Sequence, residues 1–587
     1  MLKIFKYLKR NEWLFVLFSV VFIVIQVWLD LKLPDYMAEI TTLIQTEGTK
    51  SSELMIPGLF MLLCAIGSMV AAVIVGFFAA KVAAGLSMRL RGMVFDKTLS
   101  FSMEEMNGFS TSSLITRSTN DITQIQMIVA MGMQLIIKAP ILAVWAILKI
   151  SGKSWQWTAA TGGAVAVLVV MLSAIILLVM PKFQSIQRLT DNLNRVTREH
   201  LSGLRVIRAY NSERYQEEKF EKANDDLTKT NLFANRMLAI FGPGMTFIMS
   251  GLSVAIYWIG AYLINEADLS ARIGLFSDMV VFSSYAVQVV MAFMMVSMIF
   301  IMMPRAAVSA KRVLEVLETR STIMDGTATN GKKDVVGEVE FRHVSFKYPD
   351  AEAPILHNIN FKAKKGETVA FIGSTGSGKT SVINLIPRFY DVTEGEVLID
   401  GVNVKDYSQE ALHSKIGYVP QKAVLFSGTV ETNVAYGDQS RGKVSENRIK
   451  KAIEIAQGTE FVEKMEGQYE AHISQGGSNV SGGQKQRLSI ARAIFRQPEI
   501  YIFDDSFSAL DYKTDRILRS ALKKETKDAT TFIVAQRIGT IKDADRILVL
   551  EDGEVVGNGT HDELMESCQT YQEIAYSQLS KEELANG

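Results

Sequence analysis

The sequence predicts two unlike halves: a membrane domain of six spanning α-helices that extend into the cytosol, fused to an α/β P-loop nucleotide-binding domain. Three observations carry that expectation. Six apolar stretches, each near the roughly 20 residues that cross a bilayer as a helix, lie within the first 303 residues. Gly373-Ser374-Thr375-Gly376-Ser377-Gly378-Lys379-Thr380 fits the phosphate-loop pattern G-x-x-x-x-G-K-[ST]. From Val336 onward, short β-branched strands alternate with helical stretches.

Composition excludes several alternatives. The 587 residues carry 62 Lys+Arg against 62 Asp+Glu, so net charge points to no nucleic-acid partner. A hydrophobic content of 48% is too high for a disordered chain. Two cysteines, Cys64 and Cys568, support neither a disulfide framework nor a Cys-based zinc site. The six histidines lack a zincin spacing. No small-residue cleavage site follows the first apolar run, which argues against a removed signal peptide.

The spans are expected at residues 14–33, 56–80, 128–150, 158–180, 238–264 and 277–303. The first holds Asp30 and the third Lys138. Lys3, Lys6, Lys9 and Arg10 precede the first span, and Lys81, Arg89, Arg91, Lys97 and Arg117 separate the second from the third. The alternate connections carry only Lys50, Lys153 and Arg272, so both termini are expected in the cytosol. The two internal cytoplasmic connections read as helix: in 183–235, Leu201, Leu204 and Ile207 recur at helical spacing and no proline intervenes.

Within the sixth span Met291, Met294, Met295, Met298 and Met302 share one helical face. Flexible, polarizable thioethers suit a surface that repacks around varied apolar ligands, although ordinary packing against helices or lipid produces the same stripe. With Lys138, this face is the candidate substrate cavity. Lys138 and Asp30 either line that cavity or pair with other helices, and snorkelling suits Lys149 and Asp30 better than Lys138.

Pro304-Arg305 is expected to end the apolar run, with a mixed helix reaching Glu318. The domains are therefore residues 1–320, a polar linker at 321–335, and a nucleotide-binding domain at 336–587. The glycine-rich loop follows an apolar strand at 367–372 and opens a helix at 381–389, the context in which backbone N–H groups and a helix N-terminus cradle phosphates. Lys379 would reach the β/γ-phosphates and the Thr380 hydroxyl would ligate Mg²⁺. Ile500-Tyr501-Ile502-Phe503-Asp504 is an apolar strand ending in a carboxylate able to hold Mg²⁺. Val480-Ser481-Gly482-Gly483-Gln484, running into a helix at 485–495, offers a second phosphate-binding turn.

That last stretch resembles the LSGGQ signature of ATP-binding cassette (ABC) proteins, with Val in place of the first Leu. Tyr348 resembles the aromatic that stacks on adenine, Gln421 the Q-loop glutamine, and Ser508-Ala509-Leu510-Asp511 the D-loop. With six spans fused N-terminally, the chain resembles a type IV ABC exporter half-transporter, and residues 107–121 and 202–210 resemble its coupling-helix regions. The resemblance implies ATP and Mg²⁺ as ligands and a head-to-tail dimer of cassettes. Tyr348, the loop Gly373, Ser374, Thr375, Gly376, Ser377, Gly378, Lys379, Thr380 and Ser381, and Gln421 would bind nucleotide on one side. Ser481, Gly482, Gly483 and Gln484 would close on the nucleotide of the partner. Thr380, Gln421 and Asp504 would surround the metal.

Two positions depart from the family's pattern. The general base after the Walker B aspartate is normally Glu, and here it is Asp505. The switch residue is normally His, and here it is Gln536. This combination resembles the degenerate-site subunit of heterodimeric bacterial multidrug ABC exporters. It implies a different half-transporter chain as partner, small amphipathic substrates, and a multi-pass place in a bacterial cell membrane. The alternatives are a lipid or peptide exporter with the same engine, a homodimer with slow ATPase, and a channel or regulatory subunit gated by ATP.

Overall fold

The computed structural model describes residues 2–46, 50–151, 154–437 and 445–578. Lys153, one of the residues used to infer orientation, lies outside them. The chain divides into two compact units: Met1–Leu99 with Thr111–Thr319, and Ser100–Ser110 with Arg320–Gly587.

The first unit is helical: α1 (Arg10–Gln45), α2 (Ser51–Leu99), then, after the short α3 (Met103–Gly108) that belongs to the other unit, α4 (Thr111–Ser118), α5 (Asn120–Ser151), α6 (Trp155–Ser202), α7 (Leu204–Ala209), α8 (Glu213–Ala239), α9 (Phe241–Glu266) and α10 (Leu269–Glu318). Six helical stretches are long and apolar enough to cross a membrane. Their outward faces carry large apolar side chains such as Val170, Leu177, Phe247 and Trp258, each more than 60% exposed. Such faces are stable against lipid and not against water. Helices α2 and α6 run 49 and 48 residues, so each continues well past its apolar stretch.

Helix α10 passes position 304 without a break and carries apolar and mixed segments in one rod. Position 304 therefore ends the apolar run without ending the helix, which reaches Glu318 as expected; Pro34, Pro57, Pro140 and Pro181 also lie inside helices. A proline removes one backbone donor, and in long membrane helices local adjustment re-satisfies the freed carbonyl.

An apolar core joins α1, α5, α6, α9 and α10 through residues including Val27, Leu142, Trp157, Ile256 and Phe282. Trp157 lies 5.4 Å from Phe282, centroid to centroid, and donates Nε1–H to the Ile256 carbonyl at 3.1 Å. A polar layer crosses this apolar interior. Lys138 Nζ on α5 donates to Asp30 Oδ2 on α1 at 3.1 Å, and Ser68 Oγ on α2 donates to Asp30 Oδ1. Lys149 pairs with Asp35 at 2.7 Å, and Tyr285 on α10 donates to both the Leu31 carbonyl and Asp35. Of the alternatives expected for Asp30 and Lys138, pairing with another helix is the one observed, and Lys149 is held by an interhelical pair as well. Intramembrane charges are costly alone, and a partner of opposite sign within reach outweighs extension toward water. On the methionine face Met291, Met295 and Met302 are half-buried and Met298 is 48% exposed, whereas Met294 packs against the core.

The second unit is built on a six-stranded sheet, ordered β12-β11-β3-β10-β9-β6. A four-stranded sheet, β2-β1-β4-β5, packs beside it, and β7 pairs with β8. The strands are β1 (Val339–Phe346), β2 (Leu356–Ala363), β3 (Thr368–Gly373), β4 (Glu394–Ile399), β5 (Val402–Asn403), β6 (Ile416–Val419), β7 (Gly428–Thr429), β8 (His472–Ile473), β9 (Ile500–Asp504), β10 (Thr530–Val534), β11 (Arg546–Glu551) and β12 (Glu554–Gly559). Strands β11, β3, β10, β9 and β6 run parallel. Strand β9 is buried at all five positions, as a central parallel strand covered on both faces must be. The polar stretch after Glu318 is ordered along this unit: Gly326 and Ala328 donate to the Tyr407 and Asp406 carbonyls, and Lys332 to that of Asp400.

Candidate functional site

The site forms at the carboxyl ends of the parallel strands, where an α/β sheet places its ligands. Strand β3 runs into the glycine-rich loop, which opens helix α11 (Lys379–Leu385). Gly378 sits at φ +95°, so its conformation requires glycine, and a Cβ there would press on a Leu356 methyl at 2.6 Å. Lys379 Nζ folds back on its own loop, donating to the carbonyls of Gly373 (3.0 Å) and Ser374 (2.6 Å) and to Ser377 Oγ (3.3 Å). Burial pushes its ammonium pKa down from the ordinary value, while the carboxylates of Asp505 and Asp504 oppose that shift. The cradle fits a polyphosphate: a desolvated cation satisfied only by weak acceptors, which phosphate oxygens would replace with charged ones.

Beside it, Thr380 Oγ1 donates to Asp504 Oδ1 at 3.2 Å. Burial raises the Asp504 pKa to about 6, and neighbouring Asp505 adds to the rise. A hydroxyl and a buried carboxylate are hard oxygen donors of the type Mg²⁺ accepts while keeping waters and phosphate oxygens as its other ligands. Among the described residues no cluster of three His, Cys, Asp or Glu side chains could cage a metal unaided.

Asp505 adopts φ +43°, the left-handed region that Asp tolerates better than most residues. Its Oδ2 accepts from Gln536 Nε2 at 2.9 Å and from Gln421 Nε2 at 3.2 Å, and Ser508 Oγ donates to its carbonyl. Burial pushes its carboxyl pKa up, against the hydrogen bonds that lower it. Two glutamines that lie 31 and 84 positions from Asp505 in the sequence thus share its carboxylate.

Tyr348 follows β1 and lies against the loop helix, its hydroxyl 3.1 Å from Ser381 Oγ. It meets Phe346 and Tyr390 edge-on, with centroids at 4.7 and 5.1 Å. Sequence reasoning missed Tyr390, which joins this aromatic cluster and accepts a hydrogen bond from Asn107 Nδ2 at 3.0 Å. Asn107 is on α3, a helix started by the Ser102–Glu105 capping box. The expected coupling segment at 107–121 is therefore split: α3 begins at Met103 and α4 is a separate helix from Thr111. The second expected segment, 202–210, holds α7.

Ser481 caps the helix Gly482–Arg496 through a reciprocal box with Gln484 (2.8 and 3.3 Å). Ser481 and Gly482 are exposed, and Gly483 lies against the Ala509 carbonyl of the D-loop stretch. The buried Gln486 donates from Nε2 to the Pro420 carbonyl at 3.1 Å, tying this helix to the residue before Gln421.

Comparison with known proteins gives the family. Residues 16–293 match the ABC transporter transmembrane region and residues 356–508 the ABC transporter family. An ABC transporter ATP-binding protein of Mycobacterium tuberculosis, itself uncharacterised, is 39% identical over 519 residues, covering 88% of this chain and 86% of its own length. The chain belongs to the ABC transporter family. An ATP-dependent lipid A-core flippase of Pseudomonas aeruginosa is 30% identical over 489 residues, 83% of this chain and 79% of the flippase. In fold, the chain is similar to a bacterial Atm1-family ABC exporter with ATP bound (TM-score 0.80, 22% identity, 97% of this chain and 100% of that one). The protein is thus an ATP-driven ABC exporter half-transporter, multi-pass in the membrane. Such exporters act as dimers, which accounts for a signature turn open to solvent.

Proposed function

We propose that this exporter subunit works with a different half-transporter to expel hydrophobic or amphipathic compounds, supplying a degenerate ATP site and an intact signature for the active site of its partner. The observation that carries the reading is Asp505 in the general-base position, held by Gln536 and Gln421. An aspartate is one methylene, about 1.5 Å, shorter than glutamate. A displacement of that order can lower a rate by about a hundredfold. Gln536 offers an amide that hydrogen-bonds phosphate but cannot carry a proton as imidazole does.

On this reading Tyr348 stacks on adenine, the backbone of residues 373–381 and Lys379 bind phosphates, and Thr380, Gln421 and Asp504 hold Mg²⁺, which neutralises phosphate charge. Binding is retained and hydrolysis is slow. Ser481, Gly482, Gly483 and Gln484, at a helix N-terminus whose first two residues are exposed, donate to the nucleotide of the partner. The termini are cytoplasmic, and the segments 107–121 and 202–210 couple nucleotide sites to the spans. The methionine face and Lys138 line the substrate path.

A second reading, lipid export by the same engine, is favoured by the likeness to lipid A-core flippases. The deciding experiment is ATPase and vesicle transport by the chain purified alone and co-expressed with a second half-transporter. Alone it should turn over at no more than about a hundredth of the paired rate, and Asp505→Asn in the pair should reduce turnover only modestly. Full ATPase and transport by this chain alone would overturn the heterodimer. Lipid and drug substrates compared in the same vesicles separate the two cargo readings.

A further inference from the structure

The loop that carries Gln536 is gripped from a direction the ATP chemistry does not require. The last described helix, Gln569–Gln578, packs Tyr571 and Ala575, both fully buried, into the cluster that also holds Ala535, Ile538 and Ile541. The Tyr571 hydroxyl lies 2.7 Å from His561 Nδ1, fixing the start of that helix. One turn beyond Ala575, the side-chain amide of Gln578 makes two backbone hydrogen bonds. Its Oε1 accepts from the Ile538 N–H at 2.9 Å, and its Nε2 donates to the Gln536 carbonyl at 2.8 Å.

An amide that takes the carbonyl of one residue and the N–H of the residue two further on imitates a paired strand and fixes the intervening dihedrals. Those dihedrals, at Gln536 and Arg537, set the direction in which the Gln536 side chain leaves the backbone. Arg537, at the N-cap of the four-residue helix Ile538–Ile541, makes no side-chain capping bond. On the opposite side Ala535 is held by the Phe371 carbonyl at 3.2 Å. The exposed Gln578 side chain thus ties the loop after Ala535 at two backbone points, beside the burial of Ile538, and the Gln536 amide on that loop reaches Asp505 at 2.9 Å.

We propose that Gln578 is a positioning residue for the ATP site: it holds the 536–538 turn so that Gln536 points into the nucleotide pocket, and thereby sets how long ATP is retained there. The proposal rests on the reading of Gln536 as the switch residue. It extends the site to a helix that begins 31 residues after Ile538 and that carries none of the nucleotide motifs read from the sequence.

The test uses the full-length assembled exporter, photolabelling of this chain by 8-azido-ATP after a chase with unlabelled ATP, and a melting temperature for each variant. Gln578→Ala should shorten retention about three- to tenfold, the weight of one or two uncharged hydrogen bonds. Gln578→Glu keeps the acceptor for Ile538 but sets a carboxylate oxygen against the Gln536 carbonyl, so it should retain ATP no better than Ala. In a Gln536→Ala background, adding Gln578→Ala should change retention no further, because the side chain it orients is gone. Wild-type retention by Gln578→Ala, or additive losses in the double variant, would overturn the proposal. So would a lowered melting temperature with retention unaltered, since Gln578 would then only hold a helix in place. If Gln536→Ala alone retains ATP like wild type, the switch reading itself fails, an outcome separate from the others.

Discussion

At the scale of single residues, burial decides how the nucleotide site responds to pH. Asp504 titrates near 6 in the folded protein, above its ordinary carboxylate range, because the buried site disfavours charge. The sign follows from linkage: a carboxyl whose pKa is raised on folding keeps its proton longer folded than unfolded, so stability falls as pH rises through the interval from about 4 to about 6 and is level above it. Metal binding has the opposite slope, since only the ionised carboxylate ligates. Mg²⁺-dependent nucleotide binding should therefore weaken by up to about tenfold per pH unit below about pH 6, read by titrating a fluorescent ATP analogue at fixed Mg²⁺. Asp504→Asn should lose that pH dependence together with most Mg²⁺ affinity. Tyr348 gives a second expectation. Tyr348→Ala should weaken ATP binding and Tyr348→Trp should largely keep it, because stacking needs a π-face and not a hydroxyl. Equal binding by the Ala variant would reduce Tyr348 to a member of the Phe346–Tyr390 cluster.

Elements show what the sequence could and could not disclose. Strand β9 was legible to the residue, because four apolar positions ending in an aspartate have few other readings. The loop-helix turn was legible because Gly378 and Lys379 are tied to one local geometry. The aromatic partner Tyr390 and its donor Asn107 lie 283 residues apart, and no periodicity links them. The same holds for Asp30 and Lys138: each is visible as a charge in an apolar run, but their meeting depends on how α1 packs on α5. Substituting Lys138→Met would leave Asp30 with Ser68 alone in an apolar interior. Each side chain of the pair keeps some exposure, so the loss should be about 1–3 kcal/mol, below that of a fully buried pair. The double change Asp30→Asn with Lys138→Met should recover part of it, measured as melting temperature in nanodiscs. Losses that simply add would mean the two charges act independently.

Across the whole molecule, the two halves divide chemistry from selection. The nucleotide half is specified by short motifs with fixed spacing, and the sequence alone identified them. The membrane half is specified by side-chain volume and pairing, so its substrate was never legible. The methionine face offers a way in. Single Ala changes at Met291, Met295, Met298 and Met302 should alter the export of different substrates unequally and leave basal ATPase within a few-fold. If these side chains only pack between helices, transport of every substrate should fall together with expression, since buried Met→Ala truncations cost about 2–5 kcal/mol.

The Asp30–Lys138 pair also bears on how the chain is made. Synthesis delivers Asp30 first; Ser68 follows 38 residues later and Lys138 108 residues later. At roughly 5–20 residues per second, the carboxylate waits some 5–20 s for its cation. A lone aspartate is disfavoured by up to about 3.5 kcal/mol at the centre of a span and by less toward its end, where Asp30 lies in the span 14–33. Helix α1 must spend that interval sheltered within the insertion machinery or held by α2, and a nascent chain halted before α5 would be a natural target for membrane quality control.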